Sequence, residues 1–165
     1  MNLLDHVKTL LIRYGVTPRK RLGQNFCVDL GLLRKMVDYA EVGERDVILE
    51  VGAGFGFLTR LLSERAKEVI AVEFDSKLVN ALKNELSDRK NISVIEGNIL
   101  KISLPSFNKI VANPPYAIST RLIYTIVERP FERAVLTLQM EFAEKLTSQE
   151  GMEGYGGLTV TVGYR

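Results

Sequence analysis

The sequence predicts an α/β protein built on a doubly wound, mainly parallel sheet. Three observations carry the prediction. From residue 46 onward, short unbroken apolar runs recur at 47–49, 69–72, 92–95, 110–112 and 134–138. Strands buried on both faces read this way, because helices cover them on each side. Helical stretches at 57–66, 76–87, 119–128 and 140–148 lie between or after those runs, and right-handed crossovers then wind the sheet in both directions. Two motifs rich in turn residues end two of the runs, where open α/β sheets bind their ligands.

The elements follow in order. Asn2 can cap a first helix in which Leu3, Leu4, Val7, Leu10 and Leu11 form one apolar stripe, and Gly15 and Pro18 end it. Residues 17–28 read as a basic loop. Asp29 can cap a second helix with Leu32, Leu33, Met36, Val37 and Ala40 inward. The chain therefore divides into an N-terminal helix and basic loop over 1–28 and an α/β domain over 29–165. Neither an internal repeat nor a low-complexity block is present.

Composition narrows the function. The chain has 165 residues, 46% hydrophobic and 25% charged, with a net charge of only +2, enough for one cored domain and not a polycation. Within residues 1–25, however, Lys8, Arg13, Arg19, Lys20 and Arg21 face one acid, Asp5. Such a patch either holds phosphate or is a solvated face. Cys27 is the only cysteine and His6 the only histidine. An internal disulfide is impossible, which fits a reducing compartment. Ser-His and Cys-His triads and a histidine-rich metal site are disfavoured. Asp5, His6 and Lys8 interrupt any signal-like stretch, and no run approaches membrane-spanning length.

The first motif is Glu50-Val51-Gly52-Ala53-Gly54-Phe55-Gly56. Glycines there let the backbone turn sharply and approach a ligand. A nicotinamide fingerprint would place glycine at the sixth position of G-x-G-x-x-G; here it is Phe57. Glu50 would repel a pyrophosphate. S-adenosylmethionine carries an amino group, a sulfonium and no phosphate, so an acidic glycine turn suits it better. Glu73, 21 positions after Gly52, can accept from ribose hydroxyls. Phe74 offers a face to adenine, and Asn98 an amide to its amine or ring nitrogen. Core packing for Phe74 and a plain Gly97-Asn98 turn are the alternatives.

The second motif, Asn113-Pro114-Pro115-Tyr116, begins 61 residues after Gly52. A ring-conjugated amine is a poor nucleophile because its lone pair is delocalised. Asn113 Oδ1 and the Pro114 carbonyl can each accept one amine hydrogen and aim the lone pair at a methyl group. The prolines fix the backbone and remove competing donors. Tyr116 gives an extruded base a face to stack on. Together the motifs point to methyl transfer from S-adenosylmethionine to an exocyclic or amide nitrogen.

These residues resemble the S-adenosylmethionine-dependent rRNA adenine N6-dimethyltransferases, which act near the 3′ end of small-subunit rRNA and have the macrolide-resistance rRNA methylases as relatives. The resemblance runs from about residue 18 to the C-terminus. It is carried by Arg19-Lys20-Arg21-Leu22-Gly23-Gln24-Asn25-Phe26, by residues 113–120, by Gln139-Met140-Glu141 and by Tyr155-Gly156-Gly157-Leu158. It implies a Rossmann-like methyltransferase fold and a segment, including Gln24, that closes over the methionine part of the cofactor. Asn25 and the Cys27 backbone would touch that cofactor. It also implies a cytoplasmic, monomeric enzyme of ribosome biogenesis whose partner is small-subunit rRNA or the pre-ribosomal small subunit, with no metal and no membrane. Arg19, Lys20 and Arg21 would face RNA.

Four features depart from the family pattern. Asn98 stands where an Asp is usual, Pro114 where Leu or Ile is usual, and Gly157 where Arg is common. The chain stops at Arg165, before the further strands, target-stacking Phe and helical domain of the family. The resemblance thus implies a C-terminally truncated catalytic domain of weak or no activity. Pro114 keeps open a glutamine or DNA-adenine methyltransferase, and Asn98 with the truncation keeps open a non-catalytic RNA-binding assembly factor.

Overall fold

The computed structural model describes residues 2–18, 24 and 26–163. Five parallel strands, β1 (Val47–Val51), β2 (Glu68–Glu73), β3 (Ile92–Glu96), β4 (Lys109–Ala112) and β5 (Arg133–Leu136), lie in the order β3-β2-β1-β4-β5. The chain order reverses at β1, whose neighbours are β2 and β4. That reversal opens a crevice above the carboxyl ends of these strands.

Two helical layers cover the sheet. Alternation along the strands sends Ile48, Val69 and Val111 to one face, where they meet Leu33, Met36 and Val37 of α2 (Leu30–Tyr39) and Leu58 and Leu62 of α3 (Phe57–Ser63). Leu49, Val51, Ile70, Val72 and Ile110 go to the other, against Leu122, Ile123 and Ile126 of α5 (Ser119–Val127). Ala71 packs on Leu82 of α4 (Ser76–Glu85). The N-terminal helix α1 (Leu3–Arg13) buries Val7 and Leu10 against Leu78 and Ala81 of α4. Glu85 of α4 accepts from Arg13 at 3.1 Å and from the Tyr14 hydroxyl at 2.8 Å.

Asn2 and Asp29 cap α1 and α2 as expected, accepting from Asp5 N and Leu32 N. Two inward assignments fail: Leu4 and Leu32 are exposed, because each stripe is narrower than the apolar positions suggest. α3 ends at Ser63 and β5 at Leu136, short of the predicted limits. After β5 come α6 (Met140–Thr147) and a helix absent from the sequence prediction, α7 (Gly157–Gly163). Among the described residues no helix is long and apolar enough to cross a membrane.

The amino ends of the strands are tied separately. Asp46, just before β1, accepts from Lys109 Nζ at 2.8 Å, from Asn108 Nδ2 at 2.7 Å and from Gly43 N at 2.8 Å. Lys109 Nζ also donates to the Glu41 carbonyl at 2.7 Å, so the ammonium and carboxylate are buried as a satisfied pair.

Candidate functional site

The glycine turn after β1 and the loop after β4 meet over the crevice. Gly52 has φ +75°, and a β-carbon there would lie 3.0 Å from the Pro115 ring; glycine takes this left-handed turn without strain and lets the two loops meet without displacing the ring. Gly56, at φ +83°, serves packing instead. Its missing β-carbon leaves room for Leu82 and Leu86, which would otherwise lie 2.6 and 2.7 Å away.

Glu73 ends β2 beneath this turn and is 6% exposed. Its Oε2 accepts from Gly54 N at 2.9 Å, and its Oε1 from Phe74 N at 2.8 Å and Asp75 N at 3.0 Å. Three of the roughly four acceptor positions of a carboxylate are therefore engaged, and Oε2 keeps one for a ligand hydroxyl. Beside it Phe74 is 60% exposed, an apolar face turned outward at a site mouth. Asn98 Oδ1 accepts from Leu100 N at 3.0 Å. That bond turns the amide oxygen to its own loop and favours Nδ2 as the group offered to a ligand.

These groups line one cavity of about 260 Å³. Gln24, Gly52, Gly54, Glu73, Phe74, Asn98 and Asn113 all contribute to its wall. Among the described lining residues the only charged side chain is the acid Glu73. A pyrophosphate would find no cation among those residues, whereas a phosphate-free nucleoside bearing a cationic group meets a matched field.

Glu50 and Cys27 lie elsewhere, on a smaller cavity of about 40 Å³ behind the glycine turn that shares Gly52, Gly54 and Asn113 with the first. This is room for a water-sized group. Glu50 is 2% exposed and its Oε2 has no hydrogen-bond partner. Burial pushes its carboxyl up to about 8, and the negative Glu73 adds to the rise. The buried Thr59 hydroxyl opposes it by proximity, without a hydrogen bond of ordinary geometry. Glu50 is thus largely protonated at neutral pH.

In the β4 loop, Asn113 is half-buried and its Oδ1 accepts from the Thr137 hydroxyl. Pro115, rather than the buried Pro114, lines the cavity. Tyr116 opens a short 3₁₀ turn, Tyr116–Ile118, outside the cavity lining. Arg19, Lys20, Arg21 and Asn25 lie outside the described residues.

Residues 15–165 match the family model described as ribosomal RNA adenine dimethylase. The chain belongs to that family. A probable ribosomal RNA small subunit methyltransferase A of Methanopyrus kandleri is 44% identical over 163 residues, covering 98% of this chain and 59% of the relative. The chain therefore spans about three fifths of that relative's length. A dimethyladenosine transferase from Plasmodium falciparum has a similar structure, with TM-score 0.77 and 35% identity over 82% of this chain and 50% of that one. The 23S rRNA methyltransferase ErmE gives 0.70 and 32%, over 77% and 53%. The fold is the Rossmann-like one of S-adenosylmethionine-dependent methyltransferases.

Within this family member, several cavity residues carried no individual sequence signal. Ile99 and Ile118 supply apolar walls, and Leu78 reaches the cavity from α4; nothing in their apolar side chains alone points to a ligand. Phe26 stacks on Phe55 with ring centroids 4.9 Å apart and lies 3.5 Å from where a Gly54 β-carbon would stand. It belongs to the Gln24-Asn25-Phe26 segment, which brings it over the glycine turn.

Proposed function

We propose that the protein uses S-adenosylmethionine to dimethylate, at N6, adenosines near the 3′ end of small-subunit rRNA in the cytoplasm, acting as a monomer during ribosome biogenesis. One observation carries the reading: the glycine turn, the acid ending β2 and the Asn113-Pro114-Pro115-Tyr116 loop converge on a cavity whose only charged described lining residue is acidic. Membership of the ribosomal RNA adenine dimethylase family supports the substrate class.

The described residues fit the cofactor. Glu73 keeps one acceptor for the ribose, Phe74 would offer adenine an apolar face, and Asn98 Nδ2 would donate to an adenine ring nitrogen. Gly52 and Gly54 keep the wall thin, and Gln24, the Cys27 backbone and Asn25, which lies outside the described residues, would close over the methionine part. Glu50, behind the turn, would contribute to the cofactor site through the glycine turn it precedes. When bound, the cofactor supplies a methyl group on a sulfonium, which a nitrogen lone pair accepts while the bonding pair leaves with sulfur. Asn113 Oδ1 and the Pro114 carbonyl hold the adenine amine by its hydrogens, and Tyr116 stacks on the extruded base. The amine proton departs to water, so no strong base is required. Most of the rate comes from positioning. Residues 1–28 would supply the N-terminal helix and the basic cofactor-closing loop, whose Arg19, Lys20 and Arg21 would meet RNA phosphates, and residues 29–165 the catalytic domain.

The test uses the full-length natural protein and small-subunit particles lacking the modification. Asn113→Ala should lower the rate on the order of 10²–10³, the usual loss for one preorganised polar group, while cofactor affinity stays nearly unchanged. Near-normal turnover by that variant would refute the amine-holding role.

A further inference from the structure

We propose that Thr137 is a positioning residue for the methyl-accepting amine: its hydroxyl fixes the plane of the Asn113 amide. The inference rests on the methyl-transfer reading above. Thr137 is the first residue beyond β5, and its backbone N donates to the Ala112 carbonyl at 3.1 Å. The parallel ladder thus continues one step past β4 and sets residues 113 and 137 side by side. From there the Thr137 hydroxyl donates to Asn113 Oδ1, and both residues are half-buried.

Asn113 is held on its other flank by the loop itself. Its carbonyl oxygen lies 3.8 Å from where a Gly52 β-carbon would stand, and the Pro115 ring packs against the same glycine. The glycine turn thus lies close against this main chain, whereas the terminal torsion of an Asn side chain is intrinsically broad. A carbonyl oxygen has two acceptor directions. Thr137 takes one, and that bond orients the amide plane. The β-branch of threonine restricts its own χ1, so the donor is stiff. Thr137 touches no reacting atom and acts only through Asn113.

Thr137→Val removes the hydroxyl and keeps the shape; Thr137→Ser keeps the hydroxyl. In the full-length protein, Val should lower kcat about tenfold with KM for the particle and cofactor affinity within about twofold, and Ser should restore most of the loss, the pattern of a group acting only in the transition state. An activity-independent measurement accompanies this: the Asn113 side-chain amide should give a sharp proton pair in nitrogen–proton correlation spectra of wild type and Ser, and a broadened or shifted pair in Val. Wild-type kcat and an unchanged amide signal in Val would overturn the proposal. So would equal impairment of Val and Ser, which would assign the effect to packing of the methyl. If Val folds poorly, Thr137→Ala replaces it: Ala and Ser both lack the methyl, so the hydroxyl alone separates their rates and amide signals. Absence of transfer by the wild type would instead sink the methyl-transfer reading, leaving the amide comparison to test the hold of Thr137 on Asn113.

Discussion

Gly54 donates its amide N–H to Oε2 of Glu73 across 2.9 Å, so the glycine turn after β1 hangs on the acid that ends β2. The same carboxylate fixes the start of the next loop through Phe74 N and Asp75 N. Glu73 thereby shapes the cavity as well as facing it.

Replacing Glu73 tests both roles. Glu73→Ala leaves three N–H groups without their acceptor and removes the group offered to ribose. Cofactor affinity should fall by about 1–3 kcal/mol, the loss typical of a hydrogen bond to a charged group. The melting temperature should fall with it. Calorimetric titration with S-adenosylhomocysteine measures the first effect, and unchanged affinity would remove Glu73 from the cofactor site.

Glu50 gives a pH dependence of defined sign. Its carboxyl titrates at about 8 in the folded chain, chiefly because burial disfavours the anion. It ionises in the ordinary carboxylate range when unfolded. Between those values the folded state binds the extra proton, so this contribution is complete at low pH and is lost as pH rises through about 8. Glu50→Gln keeps the volume and removes the proton. The stability difference between wild type and variant should change by about 1.4 kcal/mol per pH unit between roughly pH 5.5 and 7.5. Parallel curves from denaturant titrations at several pH values would show that Glu50 does not hold a proton.

The sheet was legible in the sequence because its strands are buried on both faces and leave continuous apolar runs. The ligand end was legible because glycine, proline and acid residues stand where strands stop. α7 was not: Leu158-Thr159-Val160-Thr161-Val162 alternates like a strand and is rich in β-branched residues. Tertiary contacts override that propensity. Thr159 is buried and its hydroxyl donates to the Lys145 carbonyl of α6 at 2.7 Å. Nor could the sequence show how differently Glu50 and Glu73 are held. Both are acids at strand ends, and only the fold shows one bonded by backbone N–H groups beside the large cavity and the other unpartnered behind the turn. Thr137 carries no motif at all; strand register alone brings it to Asn113.

The basic cluster Arg19-Lys20-Arg21 lies beside the Gln24-Asn25-Phe26 segment in sequence, and Phe26 covers the glycine turn. Cations so placed would meet phosphates flanking a base that enters the pocket. Replacing all three by Ala in the full-length protein should weaken binding to a small-subunit rRNA fragment uniformly. It should also flatten the plot of log affinity against log salt by on the order of two, at roughly 0.7 for each phosphate no longer neutralised. A salt titration with an unchanged slope would place the RNA on another face.

The Asp46–Lys109 pair lies at the opposite end of the sheet, so its loss should affect stability without touching the site. Burial alone would raise the Asp46 carboxyl, but Lys109, Asn108 and the Gly43 N–H outweigh it and hold the group below the ordinary carboxylate range. A carboxyl depressed in the folded state contributes stability above its unfolded value and loses it as pH falls through the folded one. Asp46→Asn leaves the Lys109 ammonium buried without its counter-charge, which should cost about 3–5 kcal/mol at neutral pH. Adding Lys109→Met removes the stranded charge, while the introduced amide oxygen still accepts from Gly43 N, so the double variant should recover much of that loss. Both should bind S-adenosylhomocysteine with wild-type affinity once folded, and the single variant should lack the acid-side decline that Asp46 contributes. Denaturant unfolding at neutral and acidic pH measures these differences. A single variant as stable as wild type at neutral pH would show that the pair, although satisfied on every side, does not hold the base of the sheet.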